Sequence, residues 1–408
     1  MSEQGYFRVG TAVDGRGCVI AVFDSGVDPA AAGLAQTPSG APKVLDVIDC
    51  TGSGDVKMAP LPEDRVTVLE SGAVRLVGDR SRLLLTNATW KNPDGKWRYA
   101  SKFLFDILPG RLRKRIKEER KKTFRVHHRA AEAAATNALG EHMKGNPPKD
   151  EVQHADWMKK KEELEVRLNI LKNLKVFVEA EDPGPVIDCV SWHDGTCWRA
   201  AFDSREVESG QEFSEFESVP PPEEVNCLAD LQREVDEALS QAAASQAARA
   251  DSLRDASSPV KGVLADFHPM TNFSAERAWS QFGDKYSCSF CVNFYDDGDI
   301  LSIVTDCSPH GTHVAGIAAS YHPEQPELNG VAPGAQIISC KIGDSRLGSM
   351  ETGTGLTRAL SAALRHKVDV INMSYGEPVH EVNAGRFVSL AEEVPPPPSP
   401  APPGPHPK

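Results

Sequence analysis

The chain has 408 residues, and its 40% hydrophobic and 25% charged composition is that of a globular protein with enough length to bury a sizeable core. Acidic residues outnumber basic ones, 58 to 45, and the formal net charge of -13 excludes a general nucleic-acid binder, because phosphate neutralisation requires a basic surface. The opening MSEQGYFRVG has no apolar signal region, apolar runs are only strand-length, and nine scattered cysteines fit a reduced chain; these features predict a cytoplasmic protein with no membrane partner.

The segment up to about Asp55 reads as α/β. GCVIAVFDSG is a continuous apolar strand ending in Asp24, and KVLDVIDC, Lys43 to Cys50, is a second, the pattern of buried parallel strands. Asp24 stands at the carboxyl edge, where such sheets commonly place functional groups, and Gly26 lets the chain turn close to it. Taken alone, Asp24 is more simply a carboxylate capping the next turn; a partner would change that reading.

From Asp106 to Asp182 the pattern is helical and predicts a helical hairpin. Its first arm carries the basic run Arg111 to Arg125, read as a solvated face, and its second aligns Leu164, Leu168, Leu171, Leu174 and Val178 on one side. Val186 to Phe202 and Lys285 to Val304 each contain two β-rich runs around an Asp-Gly turn. Between them, Asp203 to Ala265 is rich in Ala, Ser, Glu and Pro, with linker-like stretches.

After this, helix and strand alternate. SPHGTHVAGIAA is a helix of small residues in which Ser308 suits the N-cap and Pro309 the first position, so that His310 falls in the first turn, near solvent, and can exchange protons. His313, one turn deeper, reads as a packed, hydrogen-bonded core residue. A metal reading of the two histidines lacks the glutamate of an H-E-x-x-H helix and any third ligand marked by spacing. Cys288 and Cys291 form one C-x-x-C without a second pair and read as strand cysteines. The strand AQIISCKIG, the helix TRALSAALRHK and the strand VDVINMSYG follow, before a Pro-rich tail that cannot continue the pattern.

Four segments in one order, VIAVFDSGVDP, HGTHVAGIAA, NGVAPGAQIISCKIGD and VINMSYGE, resemble the subtilisin-like serine peptidases, whose triad runs Asp, His, Ser along the chain. TGSGDV, DPGPVIDCVSWHDG, GDSRLGSMETGTGL and the 285 residues separating Asp24 from His310 are similar to the branch of large cytosolic aminopeptidases that release tripeptides from free N-termini. The resemblance implies an α/β fold: a subtilisin-like parallel sheet flanked by helices, incomplete on its C-terminal side, with a large α+β insertion between the Asp and His motifs. The expected divisions are 1–60 and 285–390 for two parts of a catalytic domain, 61–284 for the insertion, and 391–408 for a disordered tail.

By the same resemblance Asp24 and His310 match the triad acid and general base, and Ser374, Tyr375 and Gly376 match the strand that pairs with an extended substrate; Ser374 is then a cleft residue, not the nucleophile. Glu351 and Glu377 match two carboxylates that hold the substrate's amino terminus, although without the resemblance both read as ordinary surface glutamates. No cofactor or metal is implied, and the expected partners are peptides with a free N-terminus. Full-length members build very large assemblies through a long C-terminal region that these residues do not include.

No G-T-S-M turn and no Gly-Asn oxyanion donor follow Ser374. The 408 residues alone are therefore expected to be inactive, with an exposed sheet edge near VDVINMSYG. The competing expectation is a non-catalytic peptide-binding or assembly fragment of the same family.

Overall fold

The computed structural model describes residues 14–79, 82–182, 184–208, 263–283 and 287–376, together with 388 and 391. Glu377 and the Pro-rich tail lie outside the described residues, as does most of the expected linker. In chain order, Val19–Asp24 (β1) and Val44–Asp49 (β2) precede the short strands Asp55–Lys57 (β3) and Ala59–Pro60 (β4). Val66–Val68 (β5), Val74–Val77 (β6) and Leu83–Leu85 (β7) form an antiparallel sheet of their own, and Arg98–Phe103 (β8) follows. Two long helices, Gly110–Lys144 (α1) and Glu151–Glu181 (α2), are followed by Val186–His193 (β9), Trp198–Asp203 (β10), Ser280–Phe282 (β11), Cys288–Tyr295 (β12) and Ile300–Val304 (β13). The remaining elements are His310–Ala319 (α3), Gln336–Lys341 (β14), Gly343–Asp344 (β15), Met350–Glu351 (β16), Gly353–His366 (α4) and Val370–Met373 (β17).

These elements fall into two compact units: Arg111–Pro185 in one, and residues 14–110, 186–208 and 263–376 in the other. The first unit is the expected helical hairpin. Trp157, Lys161, Leu164, Leu168, Leu171 and Leu174 are the half-buried stripe of α2, at spacings of three or four, and Arg120 clamps Asp182 through paired hydrogen bonds of 2.9 Å from Nε and Nη2.

The second unit is organised by a parallel sheet in the order β17-β1-β14-β2. On one face α4 packs Ala359, Leu360, Ala362 and Ala363 onto Ala21, Phe23, Ile338, Cys340 and Ile342. This helix starts at Gly353, four residues ahead of the expected run, because Thr352 caps it by accepting from the Gly355 N–H at 3.1 Å. The expected β-hairpins are present as β9–β10 and β12–β13, in the sheets β10-β9-β8-β4 and β11-β12-β13-β3. Strand β17 lies at the sheet edge, with Val370 48%, Ile371 38% and Met373 38% exposed.

α3 lies against β1 through small residues. A Cβ on Gly311 would sit 2.4 Å from the Gly26 carbonyl oxygen and 3.1 Å from Asp24 Cβ, so the helix approaches the strand end more closely than any side chain permits. Gly26 itself has φ +102°, a conformation open to glycine and closed to most residues. The buried face of α3 is Gly311, Ala315 and Ala319. His313 lies roughly 200° around the helix from Gly311, and it is exposed, which corrects the expectation of a packed core histidine.

Within this one helix two glycines are expected to respond in opposite directions to alanine. Gly311→Ala should destabilise the chain by about 1–3 kcal/mol through overpacking. Gly316, with open space around its Cβ position, should gain about 0.5–1 kcal/mol as alanine. Urea unfolding of the two variants checks the signs.

Candidate functional site

Asp24 ends β1 with no solvent exposure, and its Oδ1 accepts from the Ser25 N–H at 2.7 Å and from His310 Nδ1 at 2.7 Å. The imidazole is half-exposed, with 53% of its side chain accessible, so one ring nitrogen faces a buried carboxylate while the ring remains reachable from solvent. Asp24 Oδ2 has no hydrogen-bond partner among the described residues.

The helix start is built differently from the sequence expectation. α3 begins at His310 with Pro309 as its N-cap, one residue later than expected, and Ser308 Oγ accepts from the His310 N–H at 3.3 Å. The stronger tie comes from the strand. Ser25 Oγ accepts from the Gly311 N–H and donates to the Ser308 carbonyl, both at 2.8 Å, and the Cys307 N–H donates to the Ser25 carbonyl at 2.8 Å. Ser25 thereby holds the first turn of α3 against the end of β1, supplying a cap from another element. Sequence reasoning passed over Ser25; its position directly after a strand-terminal aspartate and before a glycine was the available signal.

Ser374, Tyr375 and Gly376 continue β17 without a strand partner among the described residues, and Ser374 Oγ donates to Asn372 Oδ1 at 3.0 Å. The Tyr375 ring meets the His310 ring edge-on, with centroids 6.3 Å apart. Burial raises the Tyr375 phenol well above its ordinary value, reinforced by Cys307 and by the carboxylates of Asp24 and Glu351. Tyr375 thus stands against His310, with the negative charges of Asp24 and Glu351 near enough to act on its phenol.

Glu351 sits in β16 opposite Gly343. A Cβ on Gly343 would lie 2.7 Å from Cys307 Sγ and 2.8 Å from the Tyr375 hydroxyl, so the glycine makes room for both groups beside Glu351. Glu351 Oε1 is buried and has no hydrogen-bond partner among the described residues. A carboxylate oxygen in that condition costs on the order of 1–3 kcal/mol until a donor reaches it. Glu377, its expected companion, lies outside the described residues.

The C-x-x-C cysteines, Cys288 and Cys291, lie buried in β12, and burial raises both thiols. Among the described residues no group of three or more His, Cys, Asp or Glu side chains is arranged to hold a metal ion, and no helix is long and apolar enough to cross a membrane. All eight described cysteines are free.

Asp306 lies beneath this site, its backbone touching the Cβ position of Gly26 at 3.0 Å. Burial, and then Asp28, push its carboxyl up to about 6 from an ordinary 3.8, against the opposing effect of Lys341. The folded state therefore holds this proton more tightly than the unfolded chain. The stabilisation is complete below the ordinary value and is lost as pH rises through about 6. Relative to Asp306→Asn, wild-type stability measured by urea unfolding is expected to fall between pH 4 and 7, on the order of the window set by those two values; a flat or rising difference would contradict the assignment.

A family model described as the subtilase family matches residues 15–399. Tripeptidyl-peptidase 2 of Oryza sativa subsp. japonica is 46% identical over 381 residues, which are 93% of this chain and 24% of that protein. The Arabidopsis thaliana Tripeptidyl-peptidase 2 is likewise 46% identical over 381 residues, covering 93% of this chain and 23% of that protein, and the Caenorhabditis elegans protein of the same name is 31% identical over 382 residues, with the same two coverages. A crystal structure of tripeptidyl peptidase 2 superposes with a TM-score of 0.56 at 27% identity, covering 93% of this chain and 25% of that one. The chain therefore spans about a quarter of the length of the relatives it matches.

Proposed function

The chain belongs to the subtilase family, and from that premise we propose that it carries the acid–base half of a tripeptide-releasing serine peptidase site and binds peptides by their free amino terminus. The observation that carries this reading is the 2.7 Å hydrogen bond from His310 Nδ1 to the fully buried Asp24. A carboxylate in that place fixes the imidazole tautomer and stabilises the imidazolium formed when Nε2 takes a hydroxyl proton. In the complete reaction a serine oxygen attacks the scissile carbonyl, its proton passes to His310 Nε2, and the same proton then goes to the leaving amine.

Ser374, Tyr375 and Gly376 serve as the strand beside which an extended peptide lies, and their lack of a strand partner among the described residues leaves that edge available. Glu351, with Glu377 as the second carboxylate, takes the substrate ammonium; the unpartnered Oε1 of Glu351 supports that role. An extended strand rises about 3.3 Å per residue, so an amine anchored there places the third peptide bond roughly 10 Å away. The relatives named Tripeptidyl-peptidase 2 support this ruler reading.

The nucleophile and the oxyanion donor are not supplied by this sequence, in which no G-T-S-M turn or Gly-Asn pair follows Ser374. These 408 residues alone bind peptide and do not cleave it. We place the protein in the cytoplasm, in keeping with its free cysteines, and divide it into catalytic parts at 1–60 and 285–390, an insertion at 61–284 and a tail at 391–408.

Calorimetric titration with trialanine amide tests the reading. The free-amine peptide is expected to bind at least about tenfold more tightly than its N-acetylated form, and Glu351→Gln should remove most of that preference. A fluorophosphonate probe should leave the chain unlabelled; labelling abolished by His310→Ala would contradict the absence of a nucleophile.

A further inference from the structure

Lys341 is the last residue of β14, and its side chain has no solvent exposure. It stands in register with Asp24 on β1 and with Asp49 on β2, so an ammonium group lies between two buried carboxylate-bearing positions at the edge that carries the site. A buried lysine is costly unless its donors are satisfied. Here Nζ donates to Ser53 Oγ at 3.1 Å and to Ser345 Oγ at 3.2 Å. The Asp49 carboxylate answers the charge: it accepts from the Thr51 N–H and hydroxyl at 2.9 and 2.6 Å, from Ser53 Oγ at 3.1 Å and from the Gly54 N–H at 2.7 Å. Burial pushes the Asp49 carboxyl up, but Lys341 and these donors more than offset it and leave it below its ordinary value. The TGSGD turn that follows Asp49 is therefore a cradle for one internal carboxylate.

The second arm of the network reaches the amine-anchoring region. Ser345 directly follows β15 in the excursion Gly343–Glu351, whose two ends pair through Gly343 and Glu351. Its hydroxyl accepts from Lys341 and donates to the Ile107 carbonyl at 3.3 Å, and the same carbonyl accepts from Thr305 Oγ1 at 2.5 Å, five residues before His310. One ammonium thus ties the Asp49 turn to the hairpin bearing Glu351, and the Ser345 hydroxyl shares the Ile107 carbonyl with Thr305 in the segment leading to His310.

We infer that Lys341 is a positioning residue for amino-terminus recognition: through Ser345 it fixes the Gly343–Glu351 hairpin so that the Glu351 carboxylate is presented to a substrate ammonium. This rests on the reading of Glu351 given above. Lys341 touches no substrate; its effect passes through Ser345 and the backbone of the hairpin.

The test is the affinity ratio of free to N-acetylated trialanine amide, measured calorimetrically for the whole chain, for Lys341→Met and for Ser345→Ala. Ser345→Ala leaves Lys341, Ser53 and Asp49 in place and removes the hydroxyl that links Lys341 to the hairpin and to the Ile107 carbonyl, so it tests that link even if Lys341→Met does not fold. A fall in the ratio of about threefold or more in Ser345→Ala, within the range expected when a buried hydroxyl's hydrogen bonds are lost, supports the assignment. A smaller change, or equal weakening of both peptides, overturns it while leaving Glu351 as the anchor. A wild-type ratio near one removes the Glu351 reading, and the positioning role falls with it.

Discussion

The close approach of α3 to the end of β1 governs the site. A helix can bring its first turn against a strand terminus only where side chains are missing from the contact, and Gly26 and Gly311 leave that space, 2.4 Å from a Cβ on Gly311 to the Gly26 carbonyl. Ser25 then closes the gap with two hydrogen bonds of 2.8 Å. With the backbones so fixed, Asp24 and His310 meet at 2.7 Å although 285 residues separate them in the chain. The contact is asymmetric: the acid is sealed from water and the base is half-open to it. That asymmetry suits a pair in which one partner orients and the other exchanges a proton.

A second constraint is electrostatic. The carboxyl ends of β1, β14 and β2 bring Asp24, Lys341 and Asp49 side by side in one register, with Asp306 nearby. Like charges crowded at a sheet edge would repel, and Lys341 with the Ser53 and Ser345 hydroxyls supplies the compensation. The same residues pin the excursion that carries Glu351. Packing sets the distance between acid and base; the internal ammonium sets the frame around them.

Much of this was legible in the sequence because its signals were local. Continuous apolar runs marked β1, β2 and β14, Asp-Gly turns marked both hairpins, and the leucine spacing marked α2. The motif order identified Asp24 and His310 as a pair before any distance was known. The short strands between Ala59 and Leu85 left no comparable trace, since runs of two to four residues carry too little periodicity to separate from turns. His313 was misplaced because small residues are spread all round this helix: in HGTHVAGIAA residue size does not tell which side faces the sheet, and the close approach of Gly311 to Gly26 decides it. Lys341 was invisible for a different reason. A lysine ending a strand reads as solvated, and only the strand register shows it enclosed between two acids, with hydroxyls supplied from Ser53 and Ser345.

The central claim is that His310 donates its Nδ1 proton to Asp24 and keeps Nε2 free to accept another. Nitrogen-15 NMR of the histidine side chains reads this directly on the whole chain. The expected result is a His310 ring protonated at Nδ1, with a downfield, exchange-protected Nδ1–H signal that disappears in Asp24→Ala. A His310 ring protonated at Nε2 in the neutral form, or a spectrum unchanged by Asp24→Ala, would contradict the account.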